Sequence, residues 1–273
     1  MTDLASTRPS GLPTPRRYDG VNWIGVKTLY AREVRRFWKV GAQTVAAPVV
    51  TTLLYMLVFV VALKGSRPPI DGTPFAEFVA PGLIMMAILN NAFANASSSL
   101  IQAKIMGTAT DFLTPPLSPL ELTIGFSLGA ATRGIAVGTV TAICVLPFAR
   151  LGLTNVAAIL YFSLIASLLM GMVGVLAGLW SEKFDQLSAV QNFVVMPMTF
   201  LSGAFYLVSN LPQPFASISH FNPFFYMIDG FRYGFIGHAE SNLTIGVVMT
   251  AGLTVVLAVA CWLVFRSGWR LKS

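Results

Sequence analysis

The sequence predicts an all-α integral membrane protein with six transmembrane helices, and three observations predict it. Of 273 residues, 55% are hydrophobic and 11% charged, against about 25% charged in a soluble domain, and mean hydropathy is +0.71. The run 78–101 holds 24 residues without a charge, enough to cross a hydrocarbon core of about 30 Å as a helix. The stretch after it, through Pro115, Pro116 and Pro119, is too polar and proline-rich for lipid, where its amides would go unpaired. A span therefore ends there, a compact loop sits in water, and another span begins.

In chain order, residues 1–20 combine Pro9, Pro13 and Pro15 with Arg8, Arg16 and Arg17, the composition of a disordered basic tail. No apolar signal-peptide core follows it. Residues 21–39 set Trp23, Leu29, Tyr30, Val34, Phe37 and Trp38 among Lys27, Arg32, Arg35, Arg36 and Lys39 at helical spacing. Such a helix lies in the interface, apolar side in lipid and basic side near anionic headgroups. Six spans are expected at 40–63 (with Pro48 as a kink), 78–101, 122–149, 156–180, 187–207 and 243–265. Between the last two, Asn222 and Pro223 signal a helix start, with a stop at Gly237. The aromatics of this segment suit an outer-leaflet helix or a re-entrant hairpin.

Charge sets orientation. With the N-terminus inside, inner segments carry 13 of the Lys and Arg residues and outer segments four, so both termini are expected in the cytoplasm. The net charge of +7 is read as this bias rather than as a nucleic-acid footprint. Cys144 and Cys261 lie in apolar runs, with no redox or zinc spacing. No phosphate-binding glycine loop, metal-spaced His/Cys cluster or nucleophile elbow occurs. His220 and His238, 18 apart, fit interfacial polar residues better than a catalytic pair.

Some polar residues fall inside the spans. Asn91, Asn95 and Ser98 share one helical face; they line a translocation path or, more plainly, bond between helices. Arg133 within the third span costs about 3 kcal/mol to insert. It marks a functional position, or else the span begins after it and 121–132 approaches along the inner surface. Asp229 and Arg232, three apart on the outer helix, are expected to pair. The glycine pairs 125/129, 134/138 and 174/178, each four apart, allow close helix approach.

Several motifs together resemble one family. They are RRFWKV ending the basic helix, FVAPGLIMM, NNAFANASSSL, DFLTPPLSP, ATRG, EKFDQLS, FLSGAFYLVSNLP and HFNPFFYMIDGFRYGFIG. This pattern, over roughly 23–270, is similar to the membrane subunit of ABC type-2 transporters, in particular the small stand-alone permeases of bacterial exporters. The resemblance implies a homodimer in the cell (inner) membrane with cytosolic ATPase subunits that bind the ATP, so that the chain itself carries no cofactor and no catalysis. It implies an ATPase-coupling loop at Thr110, Asp111, Phe112, Leu113, Pro115 and Pro116, where the family often has an acidic pair and this chain has Thr110 and Asp111. It also implies an interfacial helix with Arg32, Arg35, Arg36, Phe37 and Trp38 beside the ATPase. A re-entrant helical hairpin between spans 5 and 6 would form the outer gate, with Asn222, Pro223, Tyr226, Asp229 and Arg232. The implied substrate is a polysaccharide, a lipid-linked molecule or an amphipathic drug-like compound.

Two alternatives belong to other classes. A lipid-modifying enzyme would use His220, His238, Asp229 and Glu240 on the outer side; an ion-coupled carrier would use Arg133 near the midplane.

Overall fold

A computed structural model describes residues 20–62, 69–70 and 72–270. The basic tail expected at 1–20 lies outside these residues except for Gly20. The described residues are helical with no named strand. Helix α1 runs Trp23–Lys39 and α2 Gly41–Met56, extended by a π turn Leu57–Ala62. Helix α3 is Phe75–Ile105, α4 is Thr110–Leu113, α5 is Pro119–Val145 and α6 is Val156–Trp180. Then come α7 Phe184–Val190, a π turn Gln191–Val195 and α8 Met196–Phe200, followed by α9 Phe215–Phe221, α10 Pro223–Ile236 and α11 Leu243–Ser267.

Five of these helices are long and apolar enough to cross a membrane: Gly41–Phe59, α3, α5, α6 and α11. The fifth span expected at 187–207 takes another form. Its helix starts earlier, at Phe184, and stops at Phe200, with a π turn in the middle. The chain then turns through Leu201–Tyr206, with Gly203 at φ 74°. The third span begins at Pro119 rather than at 122, because Ser118 and Glu121 close a capping box. That helix is continuous through Arg133, so residues 121–132 are part of the span and not an approach along the surface.

Helix α3 is the axis of the bundle. Of its most apolar window 78% is buried, against 17% for the α2 window and 11% for α11. Helices α5 and α6 clasp α3 on two sides, and α2 and α11 stay at the periphery. Small residues permit the clasp: a Cβ on Gly174 of α6 would stand 2.5 Å from the Phe93 carbonyl oxygen of α3, and one on Gly178 would stand 2.8 Å from that of Ser97. Two helix backbones touch here, so dispersion contacts and not a hydrophobic drive hold them, as in other bilayer-embedded bundles.

Helix α1 packs one stripe on the bundle: Val26, Leu29, Glu33 and Phe37 are buried and face chiefly α5. Gly125 and Gly129 make room: Cβ atoms there would lie 2.5 Å from Leu29 Cδ2 and 2.6 Å from Glu33 Cβ. Trp23, Ile24 and Trp38 remain exposed on the other side.

Candidate functional site

Three groups of expected residues can now be located. The loop after α3 folds into the single turn α4, in which Thr110 and Asp111 are exposed and Phe112 is buried. Phe112 meets the ring of Phe126 on α5 edge-on at 5.4 Å, and Phe126 stacks on Phe265 of α11 at 6.1 Å. The Arg32 guanidinium of α1 lies over the Phe112 ring at 5.3 Å. Glu121 completes the junction. Its carboxylate accepts from the backbone N–H of Asn22 at 2.5 Å and of Ser118 at 2.6 Å, while the Asn22 amide donates to the Pro116 carbonyl at 3.2 Å. One side chain thus ties the start of α1, the proline loop and the start of α5. Pro115 and Pro116 are exposed and Leu113 half-buried, so the loop presents a stiff outer surface on a buried anchor.

Above this junction lies a cluster that joins two of the expected sets. Glu33 is fully buried. Ser99 Oγ donates to its Oε1 at 2.7 Å, and it pairs with Arg36 at 3.4 Å and Arg32 at 3.5 Å. Arg36 points into the bundle, not toward headgroups. Its guanidinium donates to the Asn95 carbonyl at 2.6 Å, to Asn95 Oδ1 at 3.1 Å and to Ser98 Oγ at 3.1 Å. Burial holds the Arg36 guanidinium below its ordinary range, with Glu33 opposing. Arg133 donates to Asn91 Oδ1 at 3.3 Å. Asn95 and Ser98 therefore meet Arg36, and Asn91 meets Arg133. Arg35 and Trp38 face outward, while Phe37 is buried.

The outer residues are gathered differently from expectation. Asn222 caps α10 by accepting from the Phe224 N–H at 3.0 Å and donates to the Met198 carbonyl at 2.6 Å. Asp229 and Arg232 do not pair. Asp229 accepts from the backbone N–H groups of Glu240 and Ser241 at 3.0 and 2.8 Å. Arg232 donates to the carbonyls of Phe78 at 3.2 Å and Gly203 at 2.6 Å and lies over the Phe78 ring at 3.9 Å. Each ion meets unsatisfied backbone groups of the opposite polarity, which a buried charge needs as much as it needs a counter-charge. Tyr226 is half-buried beside Gly246 of α11.

Two residues of the site escaped the sequence reading. Glu33 sits in the stripe Val26, Leu29, Glu33, Phe37, a charge on an otherwise apolar face, and that was its signal. Glu121 was legible as the last residue of a Ser-x-x-Glu box. No group of three or more potential metal ligands occurs among the described residues.

With this arrangement in view, comparison with known proteins defines the class. The ABC-2 type transporter family matches residues 25–236, and the chain belongs to that family: it is a membrane permease subunit without a catalytic domain of its own, and membership implies an ATPase subunit as partner. Among relatives, it is 33% identical over 255 residues to the inner membrane transport permease YadH of Escherichia coli (strain K12), covering 92% of this chain and 98% of YadH. It is 26% identical over 235 residues to nodulation protein J of Rhizobium leguminosarum bv. viciae, covering 84% and 88%.

Proposed function

We propose that the chain is the transport-path half of an ATP-driven exporter in the bacterial inner membrane, acting as a homodimer on a polysaccharide, lipid-linked or amphipathic substrate. Two cytosolic ATPase subunits would supply the energy. The observation that carries this reading is the loop at 110–116: an exposed Thr110–Asp111 surface mounted on Phe112, whose ring is wedged against α5 under Arg32 of α1. A push on that surface passes to α1, α5 and α11 together rather than bending the loop alone. Nucleotide on the partner would then bias the balance between inward- and outward-facing arrangements.

In this reading the segment Phe184–Phe200 with its following turn is the fifth of six crossings, and both termini are cytoplasmic. The α9–α10 hairpin is re-entrant and forms the outer gate. The cluster of Asn91, Asn95, Ser98 and Arg133 belongs to the inner part of the path. The relative named an inner membrane transport permease supports the location.

The test is topological and energetic. With Cys144 and Cys261 replaced by alanine, Thr110→Cys should react with a membrane-impermeant maleimide only after cells are permeabilised. Labelling of intact cells, or transport by the purified chain without an ATPase, would sink the reading.

A further inference from the structure

Beside the Glu33 cluster opens a groove of about 990 Å³. Six cations line it: Lys27, Arg32, Arg35, Arg36 and Lys39 from α1, and Arg133 from α5. Asp111 is the acid on its wall, and Glu33, buried behind Arg32 and Arg36, offsets part of the charge. Among the described residues Arg133 has no carboxylate within pairing distance, and its one hydrogen bond is the long one to Asn91. The Nε–H groups of both Arg36 and Arg133 are buried without an acceptor. Arg36 already has the Glu33 carboxylate at 3.4 Å and bonds to Asn95 and Ser98, so of these two partly buried cations Arg133 is the one whose guanidinium still lacks an anion.

We propose that this groove binds the anionic, phosphate-type headgroup of an amphiphile, with Arg133 as its inner clamp and the charge of Arg36 behind it. The proposal rests on the permease reading and names the substrate chemistry for the same cluster. A guanidinium fork matches phosphate oxygens bidentately, and Arg133, with a single long bond to Asn91, offers such a fork beside the charge of Arg36. Apolar groups share the groove: Phe37, Val40, Ala103 and Met106, with Val40 and Met106 more than half exposed. A charged head with an apolar tail uses both linings; a free anion uses one. Depth argues against a soluble protein as occupant. Arg133 stands fourteen residues into α5, about 21 Å along the helix from its loop end, in a groove of about 990 Å³ that is too small to admit a folded domain.

The test uses the full chain purified in a neutral detergent and titrated calorimetrically with dihexanoyl phosphatidic acid, dihexanoyl phosphatidylcholine and sodium phosphate. Phosphatidic acid should bind about tenfold or more tighter than either of the others. Arg133→Gln and Arg36→Gln should each weaken it by about tenfold, the scale of one charge-assisted bond, while Arg150→Gln, an exposed charge elsewhere, should change nothing. Equal binding of sodium phosphate would make the site one for free anions and overturn the amphiphile. Equal binding of phosphatidylcholine, or unchanged binding in Arg133→Gln, would overturn the clamp. Loss of ATPase co-purification in Arg133→Gln with lipid binding intact would assign the groove to the partner instead. Should those variants fail to fold, Arg35→Gln combined with Lys39→Gln, both exposed, must still weaken phosphatidic acid several-fold, and unchanged binding there rejects the site. Because no ATPase or transport enters the titration, a negative result leaves the permease reading standing.

Discussion

The ring of Phe112 meets that of Phe126 at 88°, centroids 5.4 Å apart, and this contact keys a four-residue helix into the membrane bundle. Removing it should separate grip from movement. Phe112→Ala, at a cost of about 3 kcal/mol for a buried aromatic, should leave the chain inserted and the ATPase bound, with stimulated ATP hydrolysis lost. Asp111→Lys, on the exposed side of the same turn, should also uncouple stimulation without touching stability. Full stimulation in both variants, measured on reconstituted complex, would contradict the role of α4.

Gly129 tests how α1 docks. A Cβ there would lie 2.6 Å from Glu33 Cβ, close to the α1 backbone and unable to swing away, whereas Gly252 on α11 has open space around it. Gly129→Val should lower stability by about 1–3 kcal/mol through overpacking. Gly252→Ala should be neutral or gain up to about 1 kcal/mol from helix propensity. Thermal melts of the detergent-purified variants would read the difference.

Glu33 lies fully buried between Arg32, Arg36 and Ser99. Glu33→Ala leaves Arg36 without its counter-charge and should destabilise the chain by about 3 kcal/mol. Adding Arg36→Met should return more than half of that loss, because the cation left behind, Arg32, is partly exposed to solvent. A double variant as unstable as the single one in denaturant titration would mean that Glu33 acts through shape alone.

Arg232 holds the outer hairpin to α3 and to the turn after α8 through the carbonyls of Phe78 and Gly203. Lysine keeps the charge but loses the planar fork and the stacking on Phe78. Arg232→Lys should cost about 2 kcal/mol and open residues 201–211 to protease added from the outer side. Unaltered cleavage would show that the loop is held by other contacts.

What the sequence revealed and what it hid follow from the range of the forces. Helix α6 begins and ends where expected because Asn155 caps it locally, accepting from the Ala158 N–H at 3.1 Å. Helix α10 runs Pro223–Ile236 as read, with the Asn222 cap at one end and the left-handed Gly237 at φ 73° after the other. The burial of Glu33 was hidden because it depends on a missing side chain at Gly129, far along the chain. Asp229 and Arg232 looked like a local pair, yet each found backbone partners brought in by the tertiary fold. Of the site, the proline loop and the Asn91–Asn95–Ser98 face were legible as local patterns, but the meeting of Asn95 and Ser98 with Arg36 was not.

The wide turn at Gln191–Val195, where the Met196 N–H bonds the carbonyl five residues back, carries one residue more than an ordinary helical turn. Were that turn to close to regular pitch with its sequence unchanged, everything after it would swing by about 100°. Phe200, now stacked on Phe205 at 5.7 Å, would then point away from its neighbour. The segment is thus a built-in rotary vernier: rewinding one wide turn to regular pitch re-aims the far half of the helix while its near half stays where it is.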